Sequence, residues 1–258
     1  MQNSFVAAAP RAVFAVKKVI PHYEGPILLV RPVFTSDPVE VIDDNGTLTL
    51  KNNGQKLKDL LLTTAYMIDT LFDQSGNGRH ARQADMFKQP YLAYTDGVFS
   101  VDFKYNRWLD LPDETLPAGD EPFSIIAKHG EITNPNGGII GSGEYHGNNS
   151  CNALRRSGDQ YVNYFWFNDL YTAKDSYKPG NIVSFIYTAD KKHVSAINGE
   201  ESTRREKVQR YGSPRNTTLG KTYSEHEYLN GTLEFLYITD EVAPSLVSYV
   251  SGEWKQMA

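Results

Sequence analysis

The chain has 258 residues, 40% hydrophobic and 12% aromatic, enough to bury a core without help from metal or disulfide. Its net charge of −5 has the wrong sign for a general nucleic-acid binder. Cys151 is the single cysteine, which excludes an intramolecular disulfide and a thiolate metal cluster, and no run reaches the roughly 18 apolar residues of a spanning helix.

Met1 to Pro10 lack the positively charged start of a signal peptide, and Arg11 and Lys17 interrupt the apolar stretch behind them. With one cysteine, the expectation is folding in a reducing compartment. Residues 10–20 predict a helix, because Val13, Val16, Lys17 and Ile20 share one stripe that Pro21 closes. Residues 27–33, after the Gly25-Pro26 turn, read as a buried strand. Asp44-Asn45-Gly46 predicts a tight hairpin turn between strands at 39–42 and 47–50. A second short helix is expected over 54–62, where Leu57, Leu60 and Leu61 share a face.

From about residue 64, strand and turn signals dominate. Residues 161–169 are too aromatic for a loop and read as a central strand, while 183–187 and 233–238 alternate with a period of two. Asn198-Gly199 and Asn230-Gly231 predict further hairpin turns, since Asn and Gly tolerate positive φ. Many short strands joined by such turns predict an all-β sandwich. No repeat or linker divides the chain. Residues 1–258 therefore read as one domain, with 1–63 an N-terminal helix and strand elaboration and 64–258 the main sandwich.

The run Phe72-Asp73-Gln74-Ser75-Gly76-Asn77-Gly78-Arg79-His80-Ala81 resembles a signature shared by the catalytic domain of α-L-arabinofuranosidase B and by laminin-G-like modules of phages and giant DNA viruses. Upstream, 12–18, Tyr23-Glu24-Gly25-Pro26 and Val30-Arg31 are similar to the same family. Downstream, 107–112, 128–130, 138–143, 163–169 and 229–233 resemble the viral branch. The resemblance implies a concanavalin A-like (laminin-G type) jelly-roll β-sandwich with a short helical N-terminal elaboration. It also implies a non-enzymatic structural component of a large DNA virus particle, a minor capsid or fibre protein folded in the host cytoplasm and located in the virion. Its partners would be other capsid proteins, with self-association open. The alternatives are a lectin-like module for host cell-wall glycan and a divergent glycosidase.

The residues themselves allow a separate reading. In the 72–81 run, Asp73 can cap nearby amides as in an Asx-turn, Gly76 and Gly78 can take backbone conformations closed to other residues, and Asn77 tolerates the left-handed region. The expectation is a rigid structural turn rather than a metal site. Asp43, Asp44 and Asn45 lack the alternating oxygen ligands of a calcium loop. The six His show no zinc-binding spacing, so neither metal nor cofactor is expected.

A glycosidase needs two carboxylates set apart by their surroundings. Glu144, Asp159 and Asp169 stand in the aromatic, glycine-rich middle of the chain. The arabinofuranosidases carry adjacent cysteines in the sugar pocket, however, and this chain has one cysteine, so no catalytic residue is carried over. A binding surface has more support. Tyr145, Asn163, Tyr164, Trp166, Asn168 and Asp169 combine aromatic faces for stacking with amides and an acid for reading hydroxyls, a composition that suits a glycan or a protein partner.

Overall fold

In the computed structural model, residues 10–33, 35, 37–144, 150–208, 215–222, 224 and 226–240 are described. The first strand, β1 (Ala12–Ala15), is followed by β2 (Leu28–Pro32) and the hairpin of β3 (Val39–Asp44) and β4 (Thr47–Leu50). One helical turn, α1 (Leu57–Leu60), precedes β5 (Tyr66–Leu71), β6 (Ala81–Arg82) and the hairpin of β7 (Tyr91–Thr95) and β8 (Val98–Asp102). Next come β9 (Leu109–Asp110), β10 (Phe123–Ile132), β11 (Gly138–Gly143), β12 (Cys151–Ser157), β13 (Gln160–Tyr164) and β14 (Leu170–Tyr171). The remaining strands are β15 (Ile182–Tyr187), β16 (His193–Ile197), β17 (Glu200–Arg205), β18 (Thr218–Leu219) and β19 (Gly231–Thr239).

Among the described residues, the strand pairings are all antiparallel. One layer runs β1-β19-β10-β15-β16-β17. The other runs β4-β3-β2-β5-β6-β9-β18-β11-β12-β13-β14. The β7–β8 hairpin pairs with β5 on one side and β19 on the other, so it joins the layers. Alternation along the strands divides the apolar residues. Phe14, Ile125, Phe185, Leu236 and Ile238 meet Leu28, Val30, Ile68, Ile140 and Leu154 in the core between layers. Val13, Ile126, Ile186, Phe235 and Tyr237 form a second cluster on the opposite face of the first layer. The fold is the all-β jelly-roll sandwich expected.

Three local expectations change. The helix over 10–20 is replaced by β1, which pairs with β19 from Ala12–Ile238 to Ala15–Phe235. All four of its residues are buried, Ala12 and Phe14 in the core between layers and Val13 and Ala15 in the second cluster, an alternation over two faces that a strand provides and an amphipathic helix does not. The helix over 54–62 shrinks to the single turn α1, anchored by buried Leu57. The strand expected over 161–169 stops at Tyr164.

The turn signals divide in the same way. Asn45-Gly46 and Asn198-Gly199 occupy positive φ at both positions and close the β3–β4 and β16–β17 hairpins. Asn230-Gly231 does not form a tight hairpin. Asn230 has positive φ, but Gly231 opens β19, where a Cβ would lie 2.1 Å from the Glu131 carbonyl oxygen. That glycine permits close backbone approach.

Candidate functional site

The 72–81 run is a clasp on the N-terminal strand. Asp73 is buried, and its Oδ1 accepts the backbone N–H groups of Val13 and Ser75, both at 2.9 Å. Its Oδ2 accepts the Ser75 hydroxyl at 2.8 Å and the Arg79 N–H at 3.1 Å. The Gln74 carboxamide donates to the Lys17 carbonyl at 2.8 Å and accepts the Val19 N–H at 2.9 Å. Gly76 and Gly78 take φ of 85° and 72°. Asn77 is not among the positive-φ residues and contributes through its side chain, donating to the carbonyls of Pro10 and Arg11 at 2.9 and 3.0 Å. With four donors already on Asp73, a cation would have to displace an existing network.

Tyr145 falls outside the described residues. Asn163 is fully buried, with its carboxamide donating to Asn152 Oδ1 and the Ala153 carbonyl while its oxygen meets His193 Nε2 at 2.9 Å. Tyr164 and Trp166 are half-buried and meet edge to face at 5.7 Å. Phe165 turns inward against His193, with ring centroids 4.8 Å apart and planes 8° from parallel. The strand ends here because Asp169 Oδ1 accepts the Phe165 N–H at 2.8 Å, folding 165–169 into a loop. Within it Trp166 and Phe167 have φ of 66° and 154°, and Phe167 is 71% exposed. Asn168 and Asp169 are half-buried in the same loop.

Glu144 is spent on an ion pair with Arg215 at 3.0 Å, both side chains being exposed. Among the described residues, no group of three or more His, Cys, Asp and Glu could hold a metal.

An open cleft of about 310 Å³ lies elsewhere, at the hairpin that joins the layers. One wall is the cross-strand pair Tyr94–Phe99, with ring centroids 4.5 Å apart. The β3–β4 turn supplies Asp43 and Thr47, α1 supplies Lys58, and Val16 and Lys17 come from the segment after β1. Glu234 reaches the cleft through a β-bulge. Lys128 pairs with Phe235 and His129 with Leu233, so Glu234 is the extra residue, and bulges re-aim side chains in this way.

The cleft groups are held firmly. Asp43 accepts the Gly46 N–H at 2.7 Å and the Lys18 N–H at 3.1 Å, and Glu234 pairs with Lys128 at 2.7 Å. Burial pushes the Lys17 ammonium pKa below its ordinary value, nearby Lys128 adds to this, and Glu234 opposes it. Sequence reasoning passed over this hairpin, although 94–99 reads Tyr-Thr-Asp-Gly-Val-Phe, with an Asp-Gly turn signal between aromatic residues.

The architecture defines the chain as an all-β jelly-roll sandwich, and solved structures with the same architecture include a GH54 α-L-arabinofuranosidase soaked with a cyclic sulfate inhibitor. That similarity has a TM-score of 0.68 at 13% identity, covering 94% of this chain and 62% of that one. An arabinofuranosidase complexed with arabinofuranosyl-α-1,2-xylobiose is similar at TM-score 0.67 and 14% identity, covering 94% and 61%. The binding domain of Paraclostridial Mosquitocidal Protein 1 is similar at TM-score 0.51 and 13% identity, covering 72% and 50%. The chain thus spans less than two thirds of the arabinofuranosidases it matches, and at these identities the likeness is one of fold. No family model matches the sequence, and no curated protein matches it.

Proposed function

We propose that this chain is a non-catalytic saccharide-binding sandwich whose ligand occupies the cleft between the 43–48 and 94–99 hairpins. The observation that carries this reading is the cleft itself, a 310 Å³ space with paired aromatic rings on one wall and oriented charged groups beside them. That volume falls in the range of small-molecule sites, and aromatic faces are suited to the apolar faces of sugar rings. Both cleft carboxylates already serve other groups, Asp43 two backbone amides and Glu234 an ammonium, so neither stands ready as the proton donor that glycoside cleavage needs.

A glycan array followed by titration tests the reading. Tyr94 is 38% exposed, so Tyr94→Ala should leave the fold intact while weakening glycan binding about tenfold or more. Binding unchanged in Tyr94→Ala, or no glycan bound at all, would sink the proposal. Release of reducing ends from a bound polysaccharide, lost in Glu234→Gln, would make the chain an enzyme.

A second reading concerns the loop 165–169 and the particle-component role that the viral resemblance implies. Two successive bulky residues at positive φ are costly, and such strain clusters at functional sites. Here it presents Phe167 to solvent beside Trp166, Asn168 and Asp169. Exposed aromatic residues suit protein contacts, in this reading with other capsid proteins. Mass spectrometry of purified virus particles tests it, and absence of the chain from particles would defeat it.

A further inference from the structure

The strand β17 ends the first layer, pairing with β16 on one side and with no other strand among the described residues. Its side chains fall in a symmetrical order. Glu200, Thr203 and Arg205 stand opposite Ile197, Ser195 and His193, on the face turned toward the core between layers. Glu201 and Arg204 stand opposite Ala196 and Val194, on the outer face. Ser202 is the extra residue of a β-bulge. Its hydroxyl accepts the Ala173 N–H at 2.8 Å, and the Thr203 hydroxyl donates to the Tyr171 carbonyl, so both residues face inward. From 200 to 205 the faces therefore read in, out, in, in, out, in. The charges read minus, minus, none, none, plus, plus. Read from the other end, the faces are the same and every charge is reversed. Without the bulge the faces would alternate, and Glu200 and Arg205 would lie on opposite sides.

An exposed strand edge can pair with another chain, and charge is a common guard against this. A parallel copy of β17 would set like charges side by side. An antiparallel copy, related by a two-fold axis, sets Glu200 opposite the partner's Arg205 and Glu201 opposite the partner's Arg204, each pair on one face. In the single chain Arg204 holds Glu201 at 2.6 Å, but the two side chains are 45% and 49% exposed, so exchanging that pair for its counterparts across the axis costs little. Exposed rings stand beside the same edge. Arg205 donates to the Asp169 carbonyl at 2.9 Å, which ties the 165–169 loop and its exposed Phe167 to β17, and Tyr171 is 41% exposed. We propose that two copies of this chain dimerise through β17, the antiparallel pair joining their first layers into one sheet.

Sedimentation of the full chain over a concentration series tests this. No residue of β17 lines the cleft, so the result is independent of the saccharide reading. Wild type should pass from monomer to dimer in the micromolar range, with a Kd that rises with salt. The double variants E200R/E201R and R204E/R205E should each raise that Kd at least about tenfold, because every facing pair becomes like-charged. Mixed in equal amounts, the two variants should form a heterodimer, since the facing charges are again opposite. That rescue separates a lost contact from a lost fold. Glu200→Arg alone, which changes a single exposed side chain, should weaken the dimer in the same direction where a double variant does not fold. Wild type still monomeric at about 500 μM would overturn the inference and leave β17 a guarded edge. Variants that dimerise as tightly as wild type would overturn it by placing the contact elsewhere, and so would two monomeric variants that fail to pair when mixed.

Discussion

Four donors converge on the carboxylate of Asp73, three of them backbone N–H groups, from Val13, Ser75 and Arg79. Removing the acceptor leaves buried amides without partners, a larger penalty than the loss of an exposed cap. Asp73→Ala should cost about 3 kcal/mol, read from the denaturant midpoint, with Asp73→Asn in between. Calcium should leave the Tm of wild type and mutant unchanged, and a rise confined to wild type would establish a cation site. The Asx-turn was legible in the sequence because its bonds to Ser75 and Arg79 are local. The bond to Val13 was not, since a partner 60 residues away is set by how β1 packs.

At the scale of elements, the β7–β8 hairpin shows how a two-residue turn positions a wall of the cleft. Asp96 and Gly97 have φ of 51° and 83°, the twist that lets a tight hairpin close, and this places Tyr94 directly opposite Phe99. A Cβ at Gly97 would meet nothing within 4 Å. Gly97→Ala should therefore cost only the backbone penalty, about 1–2 kcal/mol, and should also weaken any ligand that needs the aromatic pair. A variant as stable as wild type would show that the turn is not under this constraint. Elements were read well where the turn was local, as at Asn45-Gly46. Local signals fail where pairing overrides periodicity: residues 10–20 have helical spacing, yet Ala12–Ala15 pair with β19.

Across the whole molecule, buried His129 links stability to pH. Its Nδ1 meets the Gly130 carbonyl at 2.6 Å and its Nε2 meets the Tyr161 hydroxyl at 2.7 Å. A carbonyl only accepts, so the neutral ring donates from Nδ1 and accepts the phenol proton at Nε2. Burial pushes its pKa down from 6.5 to about 4, with the Gly130 carbonyl opposing and Arg156 assisting. Between those values the unfolded chain takes up a proton that the native chain refuses. The contribution of His129 is therefore complete above about pH 6.5 and fades as pH falls toward 4, a loss of up to about 3 kcal/mol. Denaturation midpoints at about pH 7.5 and 5 measure it, and His129→Gln should narrow the gap between them. An unchanged gap would assign the acid sensitivity to other groups.

The sequence by itself determined the class of fold, because alternation, β-branched and aromatic content and Asn-Gly turns are local properties that any packing must respect. It also marked 72–81 as a structured turn, because side-chain capping and glycine backbone freedom act within a few residues. Tertiary structure decided the rest. Whether β1 became helix or strand depended on an open edge of β19, more than 200 residues away. The Tyr94–Phe99 pair, the Lys58 ammonium and the Glu234 bulge come from three separate parts of the chain and share one cleft only after the two layers close. Charge and ring faces converge through packing, which no short window of sequence contains.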